Sequence, residues 1–166
     1  MAESDVVKTR RDATIRFFDA TAVTPLDYTF TVEEGSYQYT PGSPDRIVVR
    51  DRHAIAGLRK GADPIGQISF SIHFREFTNA VADGTAIDFL EARGAYAARV
   101  STASAAYEFN LFDVEYTVEG TDHGDAADHV QTVTRCFGDW DFAEGDLDIV
   151  NVTVEVYGTH TETGPA

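Results

Sequence analysis

The 166-residue sequence predicts a mostly β protein: two packed antiparallel sheets, as a sandwich or flattened barrel, with one short flanking α-helix and a long extended loop. Three observations carry that expectation. Apolar and polar residues alternate with period two through most of the chain. One stretch alone combines helical spacing with a capping signal. Finally, 43% hydrophobic against 25% charged residues is the balance of a globular chain, here of one-domain length.

The strands follow in order. A strand is expected at residues 13–19, and 26–33 set Tyr28, Phe30 and Val32 against Asp27, Thr29 and Thr31. Short strands are expected at 36–40 and 46–51. Ile68, Phe70, Ile72 and Phe74 share one face of "QISFSIHFR", opposite Gln67, Ser69, Ser71, His73 and Arg75. "FDVEYTVEG" places Phe112, Val114, Tyr116 and Val118 against Asp113, Glu115, Thr117 and Glu119. Phe109 and Leu111 have the opposite parity, which predicts a bulge near Asn110. A strand is expected at 129–137, and Val150, Val152, Val154 and Val156 alternate in the last one. Strands with one apolar and one polar face are those of antiparallel sheets with a wet side.

The helix is expected over 86–93. Thr85 is its N-cap, Asp88 completes a capping box, Ile87, Phe89 and Leu90 form its buried side, and Gly94 follows its end. With no linker or repeat, residues 1–166 read as one domain. Its loose parts are a 1–10 arm, the 159–166 tail, and loops around 52–65 and 119–128. A single cysteine, Cys136, excludes an intrachain disulfide and a cysteine zinc site. No apolar run of signal-peptide or membrane-span length occurs, so a soluble, intracellularly made protein is expected.

Net charge is −15, unevenly placed. Residues 1–80 carry 11 acids and 10 lysines or arginines, whereas residues 81–166 carry 17 acids and 3 arginines. A nucleic-acid binder would show the reverse balance, so the distribution points to a dipolar subunit with one surface suited to meet another. The exception is residues 44–64, where Arg46, Arg50, Arg52, Arg59 and Lys60 mix with Ile47, Val48, Val49, Ile55 and Leu58. An apolar and basic segment in an acidic chain reads as an assembly loop. Each aliphatic side chain fully buried on a neighbour is worth roughly 1.5–3 kcal/mol, and each exposed ion pair only about 0–1 kcal/mol. Affinity would come from the former and register from the latter.

Catalytic signals are missing. There is no nucleophile elbow, no phosphate-cradling glycine loop and no cysteine beside a base, so no enzyme and no cofactor are expected. Asp122, His123, Asp125, Asp128 and His129 lie close in sequence without metal-ligand spacing, and read as an interstrand loop. Asp139, Asp141, Glu144, Asp146 and Asp148 resemble a calcium loop, but Glu144 stands where its sharp turn needs glycine. His53, His73 and His160 are scattered, and Trp140 and Phe142 are expected in the core.

Several stretches together resemble the major tail tube protein of long-tailed bacteriophages. "TRRDATIRFFDATAVTPLDYTFTVEEGSYQYT" resembles that family's first hairpin and turn, and "RIVVRDRHAIAGLRKGADP" its long loop, with His53 where glycine is usual. "IGQISFSIHFREFTN" is similar to its central strand, "GTAIDFLEARG" to its helix and "CFGDWDFAEGDLDIVNVTVEVYG" to its terminal strand pair. The resemblance implies a structural virion protein forming hexameric rings, stacked into a tube around a tape-measure protein. Tail terminator and distal tail or baseplate proteins would be its further partners, and genomic DNA would pass through the lumen without specific binding. It involves no membrane. On that reading the inter-subunit contacts are Ile47, Val48, Val49, Arg50, Arg52, Ile55, Leu58, Arg59 and Lys60, and Asp113, Glu115, Asp139 and Asp141 line the bore. The competing expectations are a monomeric β-sandwich binding module and, within the resemblance, a tail terminator or secretion-system tube protein.

Overall fold

The computed structural model describes residues 13–30, 32–33, 35–52, 54–73, 84–103, 105, 108–120, 126–144 and 149–164. Its strands are β1 (Ala13–Phe18), β2 (Asp27–Phe30), β3 (Gln38–Thr40), β4 (Arg46–Asp51), β5 (Ala54–Lys60), β6 (Gly66–His73), β7 (Phe112–Val118), β8 (His129–Ala143), β9 (Ile149–Val156) and β10 (His160–Thr163). One helix, α1 (Ala86–Leu90), lies between β6 and β7. Eight strands form an antiparallel sheet in the order β2-β1-β7-β8-β9-β6-β3, with β10 also paired to β8, while β4 and β5 form a separate ribbon. The expected mostly β, antiparallel class is the one observed.

The large sheet folds over itself at β8. Phe112 pairs with Cys136 but Val114 pairs with Val133, so β8 carries an extra residue, and Arg135 there adopts a φ of 55°. The bend therefore lies at Thr134–Arg135 and not near Asn110, as expected from sequence. Residues 108–111 broke the alternation because they precede the strand: Ser101 Oγ accepts from the Leu111 N–H at 2.9 Å, and the Thr102 N–H donates to the Leu111 carbonyl. Beyond the bend β8 pairs with β9 through Ala143, longer than the strand expected at 129–137.

Folding brings the apolar faces of the two halves together. Phe17 of β1 lies 4.7 Å, ring to ring, from Phe112 and 5.9 Å from Phe70 of β6; Phe30 of β2 lies 5.2 Å from Phe70. Ile68, Phe70 and Ile72 and the four valines of β9 are buried on the parity read from sequence. The segment after β2 crosses between the layers, with the Glu33 N–H donating to the Ser71 carbonyl and Ser36 Oγ accepting from the Ser71 N–H. Tyr37 stacks on Tyr116 at 4.4 Å beside this crossing. The result is a flattened barrel.

The helix plugs one end. Thr85 and Asp88 form the expected capping box, with Thr85 Oγ1 accepting from the Asp88 N–H and Asp88 Oδ2 from the Thr85 N–H. It stops at Leu90 rather than 93, since Ala92 and Gly94 turn the chain with φ of 51° and 57°. Phe89, the most buried helix residue, packs 5.7 Å from Phe112. Behind it, buried Arg99 donates to the carbonyls of Phe89 and Asn110 and lies over the rings of Phe89 and Phe112. Burial lowers its pKa to about 10, with Asp19 opposing the shift. Burial alone would raise the pKa of Asp19. Donors from the Val100 N–H, from the hydroxyl and N–H of Thr21 and from the Leu26 N–H hold it below the ordinary value of 3.8.

Three further expectations are corrected. Residues 44–64 are not an extended loop but the β4–β5 ribbon; the return strand went unread because Ala54, Ala56, Gly57, Arg59 and Lys60 carry little β signal. The 159–166 tail contributes β10, whose exposed residues pair along β8 from Val133 to Val130. Trp140 and Phe142 have core parity but are 37% and 47% exposed, because β7 ends opposite Cys136 and leaves this part of β8 paired to β9 alone among the described strands. Trp140 there donates from Nε1 to Glu91 at the helix end.

Candidate assembly surfaces

The ribbon has two unlike faces, fixed by its register. Arg46 pairs with Lys60, Val48 with Leu58 and Arg50 with Ile55, so these six share one face. Ile47 with Arg59, Val49 with Gly57, and Asp51 with Ala54 share the other. A bulge at Ala56, between the Val49 and Arg50 pairings, keeps Ile55 on the cationic face. That face is thus an apolar centre, Val48, Ile55 and Leu58, with a cation at each pairing end. Leu58 and Ile55 are 64% and 66% exposed. Arg52, in the connecting turn, has a φ of 43°. The Gly61 N–H donates to the Asp45 carbonyl at the ribbon's base, and a Cβ on Gly42 would meet Pro64 at 2.4 Å, so two close approaches fix where the ribbon emerges. Sequence singled out nine contact residues; the structure divides them between faces and adds Arg46 to the cationic one.

The four candidate bore residues are likewise divided. All are on outward, polar positions. Asp113 and Glu115 belong to the β2-β1-β7 half, where Arg16 bridges Asp27 at 2.8 Å and Glu115 at 3.9 Å, and Asp113 accepts from the Arg135 N–H. Asp139 and Asp141 belong to the β8-β9-β6-β3 half, paired with Thr153 and Asn151. The outward positions there (Gln38, Gln67, Ser69, Ser71, His73, Thr153 and Glu155 among them) include no lysine or arginine among the described residues. The two layers thus differ in kind. One neutralises its carboxylates internally, and the other presents them.

At the bend lies a feature sequence reasoning missed. Phe109, 72% exposed, rests 4.9 Å from the Phe137 ring, and with Leu111, Tyr157, Glu108 and Arg135 lines a cavity of about 350 Å³. Glu108 forms an ion pair with Arg135 at 3.1 Å, and the Tyr157 hydroxyl donates to Glu155, which raises the tyrosine's pKa. The one available signal was the broken parity of Phe109 and Leu111.

The other candidates dissolve into structure. Asp128 accepts from the Gly120 N–H, and the His160 ring lies against Tyr39. Asp122, His123, Asp125, Asp146, Asp148 and His53 lie outside the described residues. Among the described residues no three His, Cys, Asp or Glu side chains are grouped to hold a metal ion. Cys136 is buried, and burial pushes its thiol pKa up, away from reactivity. No described helix is long and apolar enough to cross a membrane.

No family model matches the chain, and no curated protein matches it. Solved structures do. It is similar to a chain in the sheath/tube terminator of an extracellular contractile injection system in its extended state, at a TM-score of 0.59 and 12% identity over 91% of this chain and 93% of that one. A chain from the sheath–tube complex of an extracellular contractile injection system gives 0.59 at 10% identity over 94% and 91%. One from the tube-terminating cap of the anti-feeding prophage gives 0.57 at 10% identity over 99% and 94%. The fold is therefore that of components of tail-like injection machines, shared nearly end to end.

Proposed function

We propose that this protein is a structural tail subunit that self-assembles into hexameric rings, stacked as a phage tail tube through which the genome is ejected. The observation that carries the reading is the ribbon: an apolar, cationic face projecting from an acidic, open-edged flattened barrel whose fold matches tube-associated proteins over nearly its whole length. A monomeric binding module would have no use for such a face. Rings would bring strands of six subunits side by side and cover sheet edges that one copy leaves open. The β8-β9-β6-β3 layer is the better bore wall, because no lysine or arginine among the described residues pairs with its carboxylates at Asp139 and Asp141. A negative wall repels phosphates within a Debye length of about 8 Å at physiological salt, so DNA slides without sticking. Tape-measure, terminator and baseplate proteins are the partners of such a tube. It works in the virion after assembly in the host cytoplasm.

The likeness to a terminator and a cap favours one second reading, a subunit that forms a single ring and closes a tube. Negative-stain electron microscopy with mass measurement at high protein concentration separates the two. Stacked tubes support the first and single rings the second; monomer at every concentration rejects both.

A further inference from the structure

Two surfaces described above are complementary in both chemistry and charge. The ribbon's face offers Val48, Ile55 and Leu58 bracketed by Arg46, Arg50 and Lys60, the last of which pairs with Asp63 within the subunit. The cavity at the β8 bend is lined by Phe109, Leu111, Tyr157 and the Glu108–Arg135 ion pair; Phe137 packs on Phe109, and the carboxylates of Asp113 and Glu155 are bonded to the lining residues Arg135 and Tyr157. The first is a convex aliphatic strip with positive ends, the second a concave aromatic groove with a negative rim. Among the described residues nothing fills either: the ribbon's extensive packing is between its own two strands, and Phe109 remains among the most exposed large apolar residues.

We propose that the Val48–Ile55–Leu58 face of one copy docks in the Phe109–Tyr157 groove of a second copy. The contact is heterologous, ribbon to groove, so each subunit donates once and accepts once, and the chain of contacts continues until a ring closes or a stack ends. The groove lies where β8 bulges, so the device that folds the sheet also opens the seat for the neighbour. Apolar contact supplies the affinity. Lys60 and Arg50 against Glu108 and Glu155 set the register, because a slipped ribbon would bring its cations to Arg135. The inference rests on the self-assembling reading above but names a contact that reading does not require.

The test uses the full-length chain in two single-cysteine additions, Ile55→Cys and Phe109→Cys, mixed under assembling conditions and treated with a short bis-maleimide; buried Cys136 stays unreactive. A cross-linked pair at several-fold the yield of an Ile55→Cys and Val23→Cys control is expected, because Val23 is exposed but does not line the groove. The charge reversals Glu108→Lys and Glu155→Lys should abolish the cross-link, and Arg50→Glu with Lys60→Glu on the ribbon partner should restore it. Tubes or rings without the specific cross-link overturn the docking and leave the assembly reading standing. A specific cross-link between subunits that form neither leaves the docking standing and overturns the assembly reading. Absence of both overturns both.

Discussion

The carboxylate of Asp113 on β7 accepts a hydrogen bond at 2.9 Å from the backbone N–H of Arg135, the residue of β8 whose φ of 55° turns the sheet. The bulge leaves that N–H outside the regular ladder, and Asp113 supplies the partner. A left-handed conformation costs a non-glycine residue roughly 1–2 kcal/mol, so this hydrogen bond offsets part of the cost of folding the sheet. Asp113→Ala is expected to destabilise by about 1–2 kcal/mol in urea unfolding. Arg135→Gly should fall within about 1 kcal/mol of wild type, since the relief of φ is set against the lost Glu108 ion pair. A large loss from the glycine substitution would show that the bulge is not the strained element.

Acid should weaken the fold through Asp19 and Asp88. Burial acts to raise both pKa values; for Asp19 the donors are Val100, Thr21 and Leu26, and for Asp88 they are Thr85 and Arg93, and each carboxyl is held below 3.8. A depressed folded pKa means the folded state binds fewer protons, so this stabilisation is complete above about pH 4–5 and is lost as pH falls through the folded values. Asp19→Asn should therefore lower stability at pH 7 and flatten the decline below pH 4. Chemical denaturation at pH 7 and pH 3 checks it: an equal loss at both pH values contradicts the assignment.

Arg99 holds the helix end to the segment that carries Phe109, through the carbonyls of Phe89 and Asn110. Arg99→Met keeps the aliphatic volume and removes two charged hydrogen bonds, which together cost about 2–3 kcal/mol. Thermal unfolding measures that loss. Near-ultraviolet circular dichroism should change as well, since the Phe89 and Phe112 environments lose their cation.

Thr85→Ala removes the hydroxyl that caps α1 and should cost about 1 kcal/mol in urea unfolding. Thr85→Ser should recover most of it, because the capping oxygen returns.

Ribbon substitutions should separate folding from assembly. Ile55→Ser, Leu58→Ser, Arg50→Glu, Arg52→Glu and Arg59→Glu combined should leave the circular dichroism and unfolding midpoint unchanged, because the side chains replaced are exposed. The same protein should form no tubes or rings by electron microscopy. Assembly at wild-type yield removes the ribbon from the interface.

The strands whose two faces meet different media were plain in the sequence. Ile68, Phe70 and Ile72, and the valines of β9, alternate because each faces a core on one side and water on the other. The capping box at Thr85 and Asp88 was legible because it is local chemistry. What escaped was set by partners distant in sequence. The residues of β5 and β10 are exposed on both faces, so no burial pattern marks them, and their pairing is carried by the backbone. Trp140 has the parity of a core residue, but its exposure depends on where the neighbouring strand β7 ends. The mixed apolar and basic character of residues 44–64 was legible in composition, whereas the division of its residues between two faces needed the Ala56 bulge. The Phe109 groove depends on a bend whose cause, Arg135, lies 26 positions away in sequence.

Opposite the β8 bulge, β9 and β10 are a single strand interrupted at Tyr157–Thr159, where the Thr134 N–H donates to the Thr159 carbonyl and the Tyr157 N–H to the Arg135 carbonyl. One hairpin therefore belongs to both layers. Neither layer can open without exposing the apolar face of the other, so the barrel has a single cooperative unit. Amide hydrogens of β1 and β6, far apart in sequence, should exchange with solvent at one common, slow rate set by global unfolding. The ribbon's amides, held by a two-stranded ladder alone, should exchange orders of magnitude sooner, leaving the ribbon free to adjust while the barrel stays rigid.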